Sequence, residues 1–232
     1  MYFLGIDLGS SSVKLSIFDA DSQQSIAAVG EPKSEMAMEA LQPGWAEQDP
    51  NQWWENVKIA LQRLQSEYQI DLTQIKAIGI AYQMHGLVLT DSHLNPVRPS
   101  IIWCDSRAAT IGDKAFEEIG EEKCHDMILG SPGNFTASKL KWVKENEPEI
   151  YKKAAYMMLP GDYIAARFSE KPQISKGGLS EGMLWHFKEN RLAKEILEYY
   201  GISEELIPEV VSNFGDQALV SSKVAKELGV QP

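Results

Sequence analysis

The segment Tyr2–Phe18 reads YFLGIDLGSSSVKLSIF and decides the fold class of this sequence. Two short apolar runs, Tyr2–Ile6 and Val13–Phe18, flank a polar stretch that contains glycine, Asp7–Ser12. Apolar runs separated by a short polar turn are typical of an antiparallel hairpin. The segment therefore predicts two paired strands whose connecting tip carries a carboxylate and several hydroxyls.

Further strands and a long helix follow the hairpin. A third strand is predicted near Ser25–Val29. Asp49 and Pro50 are typical of a helix cap and first turn, and apolar residues then recur at helical spacing as far as Tyr68. The β-branched run Ile75–Ala81 predicts a strand that is buried on both faces of a mixed sheet. This alternation of strands and helices indicates an α/β protein.

The second half of the chain has mainly helical periodicity. A short strand is predicted at Ile101–Trp103, and Gly201 is predicted to end a helix in the left-handed conformation. The predicted helices are Ala108–Ile119, Ala137–Glu145, Asp162–Phe168, Leu192–Tyr200 and Ser221–Leu228. Because no repeat, low-complexity tract or long linker interrupts the pattern, residues 1–232 are predicted to form one domain.

The composition narrows the class of protein. Hydrophobic residues make up 44% of the 232 residues, and no apolar run approaches the ~20 residues of a membrane span. The net charge of -11 disfavours nucleic acid and anionic membrane surfaces as partners. The start of the chain has no basic region before its apolar run, which is typical of a strand and not of a signal peptide. Cys104 and Cys124 have neither CxxC spacing nor a histidine cluster, so we expect reduced thiols in a cytoplasmic protein.

The hairpin tip is the first candidate site. Turn amides can hold an anion and a strand-end carboxylate such as Asp7 can hold Mg²⁺, so the tip suits the terminal phosphate of a nucleotide. Gly9 would allow the tight turn, and Ser10 and Ser11 offer hydroxyls. An ordinary serine- and glycine-rich β-turn explains the same residues equally well. Lys14 is more typical of a solvated charge on a strand.

The second candidate site is Gln83–Gly86, at the end of a predicted strand where α/β sheets usually carry ligands. His85 can exchange hydrogen bonds with sugar hydroxyls, but an isolated histidine more often closes a strand. Met84 taken alone is more typical of a core residue. These polar donors beside a thioether nevertheless suit a polyol.

The third candidate site is the segment Trp103–Arg107. A tryptophan ring can cover a sugar face, so we favour ligand contact for Trp103. For Asp105 and Arg107 we favour pairing with each other. Further along, Lys139 and Trp142 are three residues apart and can share one helix face, where packing is the preferred interpretation for Trp142.

The order of these segments resembles the FGGY carbohydrate kinases, particularly xylulokinases. The resemblance covers residues 2 to about 185 and, more loosely, the rest of the chain. Six segments carry it: Gly5–Lys14, Trp45–Pro50 with Trp53–Trp54, Gln83–Gly86, Ile102–Trp103, Phe135–Lys139 and Leu159–Tyr163. It implies a ribonuclease-H-like fold of the actin and hexokinase type, with a mixed five-stranded sheet flanked by helices.

The resemblance also implies roles for individual residues, with ATP and Mg²⁺ as cofactors. Asp7 corresponds to the family's aspartate that helps to organise Mg²⁺ and the transferred phosphate. The implied phosphate-side residues are Ser10, Ser11 and Lys14, and the implied sugar-side residues are Met84, His85, Trp103 and Asn134. The chain would then be the amino-terminal, sugar-binding domain of a kinase that converts D-xylulose to D-xylulose 5-phosphate. A kinase for gluconate or another ketose stays open, as does a non-catalytic sugar-binding or regulatory module.

The sequence departs from the family pattern in three places. Residues 179–185 read LSEGMLW where xylulokinases often have an Asp-Ala-Ser/Ala-Gly-Thr run, and the spacing around Asn134 is one residue longer than usual. Family members are about twice as long, and their general-base aspartate follows a glycine-rich strand. Asp216 lacks such a strand and is predicted to lie in a turn. We therefore expect the carboxy-terminal ATP-binding domain to be missing and the chain alone to be inactive; a homodimer is compatible with the sequence.

Overall fold

A computed structural model of the chain describes all residues from 1 to 232. The strands are β1 (Tyr2–Leu8), β2 (Val13–Asp19), β3 (Gln24–Glu31), β4 (Glu47–Gln48), β5 (Ile75–Tyr82), β6 (Val88–Thr90), β7 (Ser100–Ile101), β8 (Tyr156–Met158), β9 (Gln173–Ser175), β10 (Trp185–His186), β11 (Arg191–Leu192) and β12 (Glu209–Val211). The helices are α1 (Pro50–Tyr68), α2 (Ala109–Ile119), α3 (Glu121–Ile128), α4 (Thr136–Asn146), α5 (Pro148–Lys153), α6 (Pro160–Ser169), α7 (Lys176–Glu181), α8 (Lys194–Tyr200) and α9 (Ser222–Leu228). Two 3₁₀ turns, Leu72–Gln74 and Glu204–Leu206, complete the structure. None of these helices has both the length and the apolar character that crossing a membrane requires.

The central sheet has the strand order β3-β2-β1-β5. β1 and β2 form the predicted antiparallel hairpin, in which Asp7 lies opposite Lys14, and β5 pairs with β1 in parallel. Along β1 and β2, alternate residues such as Leu4, Ile6 and Leu15 are buried, because side chains of a strand alternate between the two faces of a sheet. The mixed α/β architecture is therefore as predicted. Because β1 and β5 are parallel, the hairpin tip and the carboxyl end of β5 lie at the same end of the sheet.

The sheet has four strands and not the expected five, and β5 lies at its edge. Ile75 is the only buried residue of β5, so the predicted burial on both faces is wrong. The outer side of β5 borders a groove of about 560 Å³, which is lined partly by Asn213, Asp216 and the chain end 230–232. No strand pairs with that side of β5. A β-branched run looks the same in sequence whether a strand lies inside a sheet or at its edge.

Helix α1 covers the buried face of the sheet. It begins as predicted at Asp49, whose carboxylate accepts a hydrogen bond from the backbone N–H of Asn51, with Pro50 in the first turn. Its apolar stripe is fully enclosed, and Trp53 has no exposed surface. Truncating such a core tryptophan to alanine typically costs about 3–5 kcal/mol. This packing fixes the sheet against α1 and holds the residues before α1 beside the hairpin tip.

A second hydrophobic cluster lies among α2, α3, α4, α7 and α8, and Tyr82 at the end of β5 packs against both clusters. Two predicted boundaries are wrong here. The strand predicted at 101–103 is Ser100–Ile101, because pairing with β4 stops there and Trp103 lies in a turn. The helix predicted from Leu192 begins at Lys194, because Leu192 pairs with Trp185 in a short hairpin. Gly201 ends that helix in the left-handed conformation as predicted.

Candidate functional site

The hairpin tip presents an exposed carboxylate beside a tight turn. Asp7 lies near the end of β1 with 57% of its side chain exposed, and its Oδ2 is 3.8 Å from Nζ of Lys14. The backbone N–H of Gly9 donates to the carbonyl oxygen of Ser12 at 3.0 Å. A Cβ atom at Gly9 would lie 3.2 Å from that oxygen, so glycine permits the close approach. The turn leaves the Asp7 carboxylate open to solvent.

The donor set of the tip fits one kind of metal ion. The chain contains no group of three or more His, Cys, Asp or Glu side chains that could enclose a metal. Mg²⁺ commonly binds one or two carboxylates while keeping water and substrate phosphates as its other ligands. A single exposed carboxylate, Asp7, therefore suits a Mg²⁺ ion that arrives with a nucleotide.

A buried glutamine connects the tip with the end of β5. The side-chain N–H of Gln48 donates to the carbonyl oxygen of Ser10 at 2.6 Å. Its Oε1 accepts from Nε2 of Gln83 at 3.1 Å and from Nε1 of Trp53 at 3.2 Å. The backbone N–H of Gln83 also donates to the carbonyl of Leu8 at 2.7 Å. The two predicted sites thus share one hydrogen-bond network, and its central residue, Gln48, was missed by the sequence reasoning.

The residues after β5 point toward solvent and toward a neighbouring ring. Met84 is 52% exposed, so the core interpretation of this residue is wrong. The ring of His85 is half-buried and stands edge-on to Phe135, with ring centroids 4.4 Å apart. Burial, and then the positive charge of Lys139, lowers the pKa of His85. A neutral imidazole both donates and accepts hydrogen bonds, which suits a ligand made of hydroxyl groups.

A buried lysine connects the end of β5 with the turn that carries Trp103. Nζ of Lys139 donates to the carbonyl oxygens of His85 at 2.8 Å and of Ile102 at 2.9 Å. Burial lowers the pKa of Lys139 to about 8, although the charge of Asp105 opposes this effect. Trp103, which directly follows Ile102, is half exposed. Lys139 therefore links the two segments that are predicted to face a sugar, and its helical spacing in the sequence did not reveal this link.

The ions after Trp103 pair with each other, as predicted. Nη2 of Arg107 is 2.7 Å from Oδ2 of Asp105, and Nη1 is 2.6 Å from Oε1 of Glu47. The guanidinium carbon of Arg107 lies 3.8 Å from the ring centroid of Trp45, and Trp142 packs edge-on against that ring at 5.2 Å. Trp142 thus has the predicted packing role. Arg107 thus connects the turn that carries Trp103 with Trp45 and Glu47.

Asn134 lies beside the turn that carries Trp103, and both its side-chain oxygen and its side-chain nitrogen form hydrogen bonds. Its Oδ1 accepts from the backbone N–H of Ala108 at 3.2 Å, and its Nδ2 donates to the carbonyl of Asp105. These bonds hold the segment before α4 against the Trp103 turn. Its assignment to the sugar stays a prediction.

Comparison with known proteins identifies the chain's relatives. A model of the N-terminal domain of the FGGY family of carbohydrate kinases matches residues 2–232. A xylulose kinase of Staphylococcus epidermidis is 31% identical over 229 residues, which cover 98% of this chain and 44% of that protein. This chain therefore spans less than half the length of that relative.

Solved structures agree in fold. A xyloylose kinase from Brucella ovis has a TM-score of 0.89 and 26% identity, covering 100% of this chain and 47% of that one. A gluconate kinase from Lactobacillus acidophilus has a TM-score of 0.87 and 22% identity, covering 99% of this chain and 46% of that one, and at this identity it shows the fold alone. These likenesses confirm the ribonuclease-H-like fold class. The chain belongs to the FGGY family of carbohydrate kinases and corresponds to the family's N-terminal domain.

Proposed function

We propose that residues 1–232 form the sugar-binding, amino-terminal domain of an ATP-dependent kinase that phosphorylates D-xylulose to D-xylulose 5-phosphate. The observation that carries this proposal is the arrangement around Lys139, which hydrogen-bonds both His85 and the residue before the exposed Trp103. An imidazole with a lowered pKa, an exposed thioether and a half-exposed indole provide hydrogen bonds and apolar contact for a small polyol.

The choice of D-xylulose rests on sequence likeness. Relatives named xylulose kinase match nearly the whole chain, and they support this sugar over other polyols. Gluconate, which the sequence resemblance leaves open, is a second candidate substrate. The departure from the family pattern in residues 179–185 gives this alternative weight, since Glu181 of that segment contacts His85.

The phosphate side of the proposed site is the hairpin tip. Asp7 would hold Mg²⁺, and the turn at Ser10 and Ser11, with Lys14 beside it, would face the phosphates of ATP. Mg²⁺ bound there would neutralise charge on the transferred phosphoryl group. Gln48 would keep this turn at a fixed position relative to Gln83 and the sugar residues.

The chain supplies only part of a kinase site. A kinase also needs a carboxylate that accepts the proton of the sugar hydroxyl. Glu181 is already hydrogen-bonded to the backbone of His85, and Asp216 is exposed in a loop beside β5. We therefore propose that the base and most of the ATP pocket belong to a second domain, whose closure over this one completes the site.

A coupled ADP-release assay on the polypeptide expressed from the complete natural reading frame tests this function. D-xylulose, gluconate, glycerol and fuculose are supplied in turn, and we expect D-xylulose to stimulate ADP release most. Asp7→Asn should lower kcat by at least about a hundredfold, because charge neutralisation at the phosphoryl group is lost. His85→Ala should raise KM. Asp21→Asn and His93→Ala, both on exposed turns, are the matched controls.

Each outcome has a defined meaning. If no sugar stimulates ADP release, the kinase proposal fails; if gluconate far exceeds D-xylulose, only the substrate is wrong. Calorimetry on residues 1–232 with D-xylulose distinguishes the kinase from the alternative, a non-catalytic sugar-binding module. That module would bind the sugar with full affinity while the longest natural form releases no ADP.

A further inference from the structure

The backbone of His85 adopts a conformation that is unusual for a residue with a side chain. Its φ is +58°, in the left-handed region. This region costs non-glycine residues roughly 1–3 kcal/mol and persists only where the surroundings enforce it. His85 directly follows Met84, so the backbone conformation of His85 determines how the side chains of Met84 and His85 are oriented. Something in the fold must hold this peptide in place.

Charged side chains from two separate helices hold both peptide groups of His85. Oε1 of Glu181, the last residue of α7, accepts from the backbone N–H of His85 at 2.5 Å. Nζ of Lys139, on α4, donates to the carbonyl oxygen of His85 at 2.8 Å. Hydrogen bonds to charged groups are shorter and roughly twice as strong as those between neutral groups. The residue is therefore fixed at its N–H and at its C=O.

The same lysine reaches the second sugar-side segment. Lys139 also donates to the carbonyl of Ile102 at 2.9 Å, directly before Trp103. One ammonium group thus sets the spacing between the His85 peptide and the Trp103 turn. The ring of His85 stands edge-on to Phe135, and its Nδ1 lies 3.6 Å from Oε1 of Glu181.

Burial of the charges of Lys139 and Glu181 carries a desolvation cost that apolar side chains at these positions would avoid. Lys139 has no exposed surface, and Glu181 keeps about a quarter of its side chain exposed. Burial raises the pKa of Glu181 and lowers that of Lys139. Apolar residues of similar size in such positions are often as stable or more stable. A role in positioning, and not stability alone, accounts for both residues.

We propose that Lys139 and Glu181 are positioning residues that hold His85 in the left-handed conformation and thereby aim Met84, His85 and Trp103 at one ligand. We call this pair of contacts the His85 clamp. The proposal rests on the proposed function for the identity of the ligand, a polyol, but the clamp itself is measurable without any sugar.

Amide hydrogen exchange at His85, followed by NMR on the 232-residue chain, tests the acidic half of the clamp. Glu181→Ala removes the acceptor, so exchange at His85 should accelerate about tenfold to a hundredfold. Glu181→Gln keeps an oxygen acceptor and should stay within about threefold of wild type. Ser180→Ala, on the same helix, is the control. Unchanged exchange in Glu181→Ala, or equal acceleration in Ser180→Ala, would overturn the proposal.

The His85 ring reports on the clamp in variants that keep the fold. Lys139→Met removes a nearby positive charge and should raise the pKa of the His85 ring, and Glu181→Gln should lower it. Lys139→Met should also shift the resonances of Met84 and Trp103 together, whereas the control Lys141→Met should shift neither. Shifts confined to one of the two segments would contradict a shared clamp.

Sugar affinity separates this inference from the proposed function. If D-xylulose binds, Lys139→Met and Glu181→Ala should weaken binding at least about tenfold, and Glu181→Gln should restore most of it. Equal affinity in all variants would refute the positioning role. If no polyol binds while exchange and titration behave as expected, the clamp stands and the proposed function fails.

Discussion

The side-chain amide of Gln48 donates a hydrogen bond to the carbonyl oxygen of Ser10 at 2.6 Å, across 38 residues of sequence. This contact joins the hairpin tip to β4, directly before α1. The same side chain accepts hydrogen bonds from Gln83 and Trp53. One residue outside both predicted sites therefore fixes their relative position.

Replacement of Gln48 by leucine should destabilise the chain by about 3 kcal/mol. It leaves the part-buried Ser10 carbonyl, the Gln83 amide and the Trp53 N–H without this partner, and each unsatisfied group costs about 1–3 kcal/mol before relaxation. Urea unfolding measures the loss. Gln52→Leu, on the exposed side of α1, should change stability by less than about 0.5 kcal/mol. Equal losses in the two variants would show that the network contributes nothing specific.

Arg107→Ala should cost about 3–5 kcal/mol, because it leaves the fully buried carboxylate of Asp105 without its guanidinium. The matched control is Arg191→Ala, since Arg191 pairs with Glu195 in a partly exposed position. That surface pair should contribute no more than about 1 kcal/mol. Urea midpoints of both variants, with unchanged slopes, test the difference; a similar loss in both would contradict it.

Gly161→Ala should destabilise the chain by about 1–3 kcal/mol, the typical cost of overpacking. A Cβ atom at Gly161 would lie 2.0 Å from Cδ1 of Tyr82, whose ring packs between the two hydrophobic clusters. Gly79→Ala on β5 meets nothing within 4 Å and should be neutral or slightly stabilising. Thermal unfolding of the two variants gives the comparison, and a neutral Gly161→Ala would mean that Tyr82 moves freely.

The pH dependence of stability should carry the signature of Asp162. Burial raises the pKa of Asp162 to about 7, whereas an unfolded aspartate titrates near 4. Between these values the folded chain binds more protons than the unfolded chain, so the contribution of this group is full below about pH 4 and is lost as the pH rises to about 7. Asp162→Asn keeps an acceptor for the Leu159 N–H but cannot titrate.

The stability of Asp162→Asn relative to wild type should therefore increase between about pH 4 and pH 7. Asp71→Asn is the control with the opposite sign, because a hydrogen bond from Thr73 lowers the pKa of Asp71. Its stability relative to wild type should decrease as the pH rises through the acid range. Urea titrations at several pH values measure both trends, and a flat difference for Asp162→Asn would contradict the buried-acid interpretation.

Local patterns in the sequence were sufficient to predict the hairpin, helix α1 and the order of the candidate segments. Alternating apolar residues and capping residues act over a few positions, so they can be recognised along the chain. The pairing of Asp105 with Arg107 is equally local, since only one residue separates them. The edge position of β5 was not predictable, because an apolar run does not reveal what lies beyond its outer side.

The contacts of Lys139 and Glu181 with His85 could not be predicted from the sequence, for a different reason. Lys139 is 54 residues from His85, and Glu181 is 96 residues from it. A lysine on a helix and a glutamate at a helix end normally face water, and only the packing of α4 and α7 brings them to one peptide. A strained residue such as His85 is also invisible in composition. Sequence patterns predicted the candidate site residues, and the structure was needed to find the residues that hold them in position.

The open edge of β5 means that the stability of this chain depends on its surroundings. Any polypeptide strand that pairs with that edge binds the folded chain and not the unfolded one, and it shifts the folding equilibrium by mass action. The melting temperature of residues 1–232 alone is then a lower bound for any longer protein or assembly in which the edge is paired. Stability measured on this chain and on such a form are two different thermodynamic quantities.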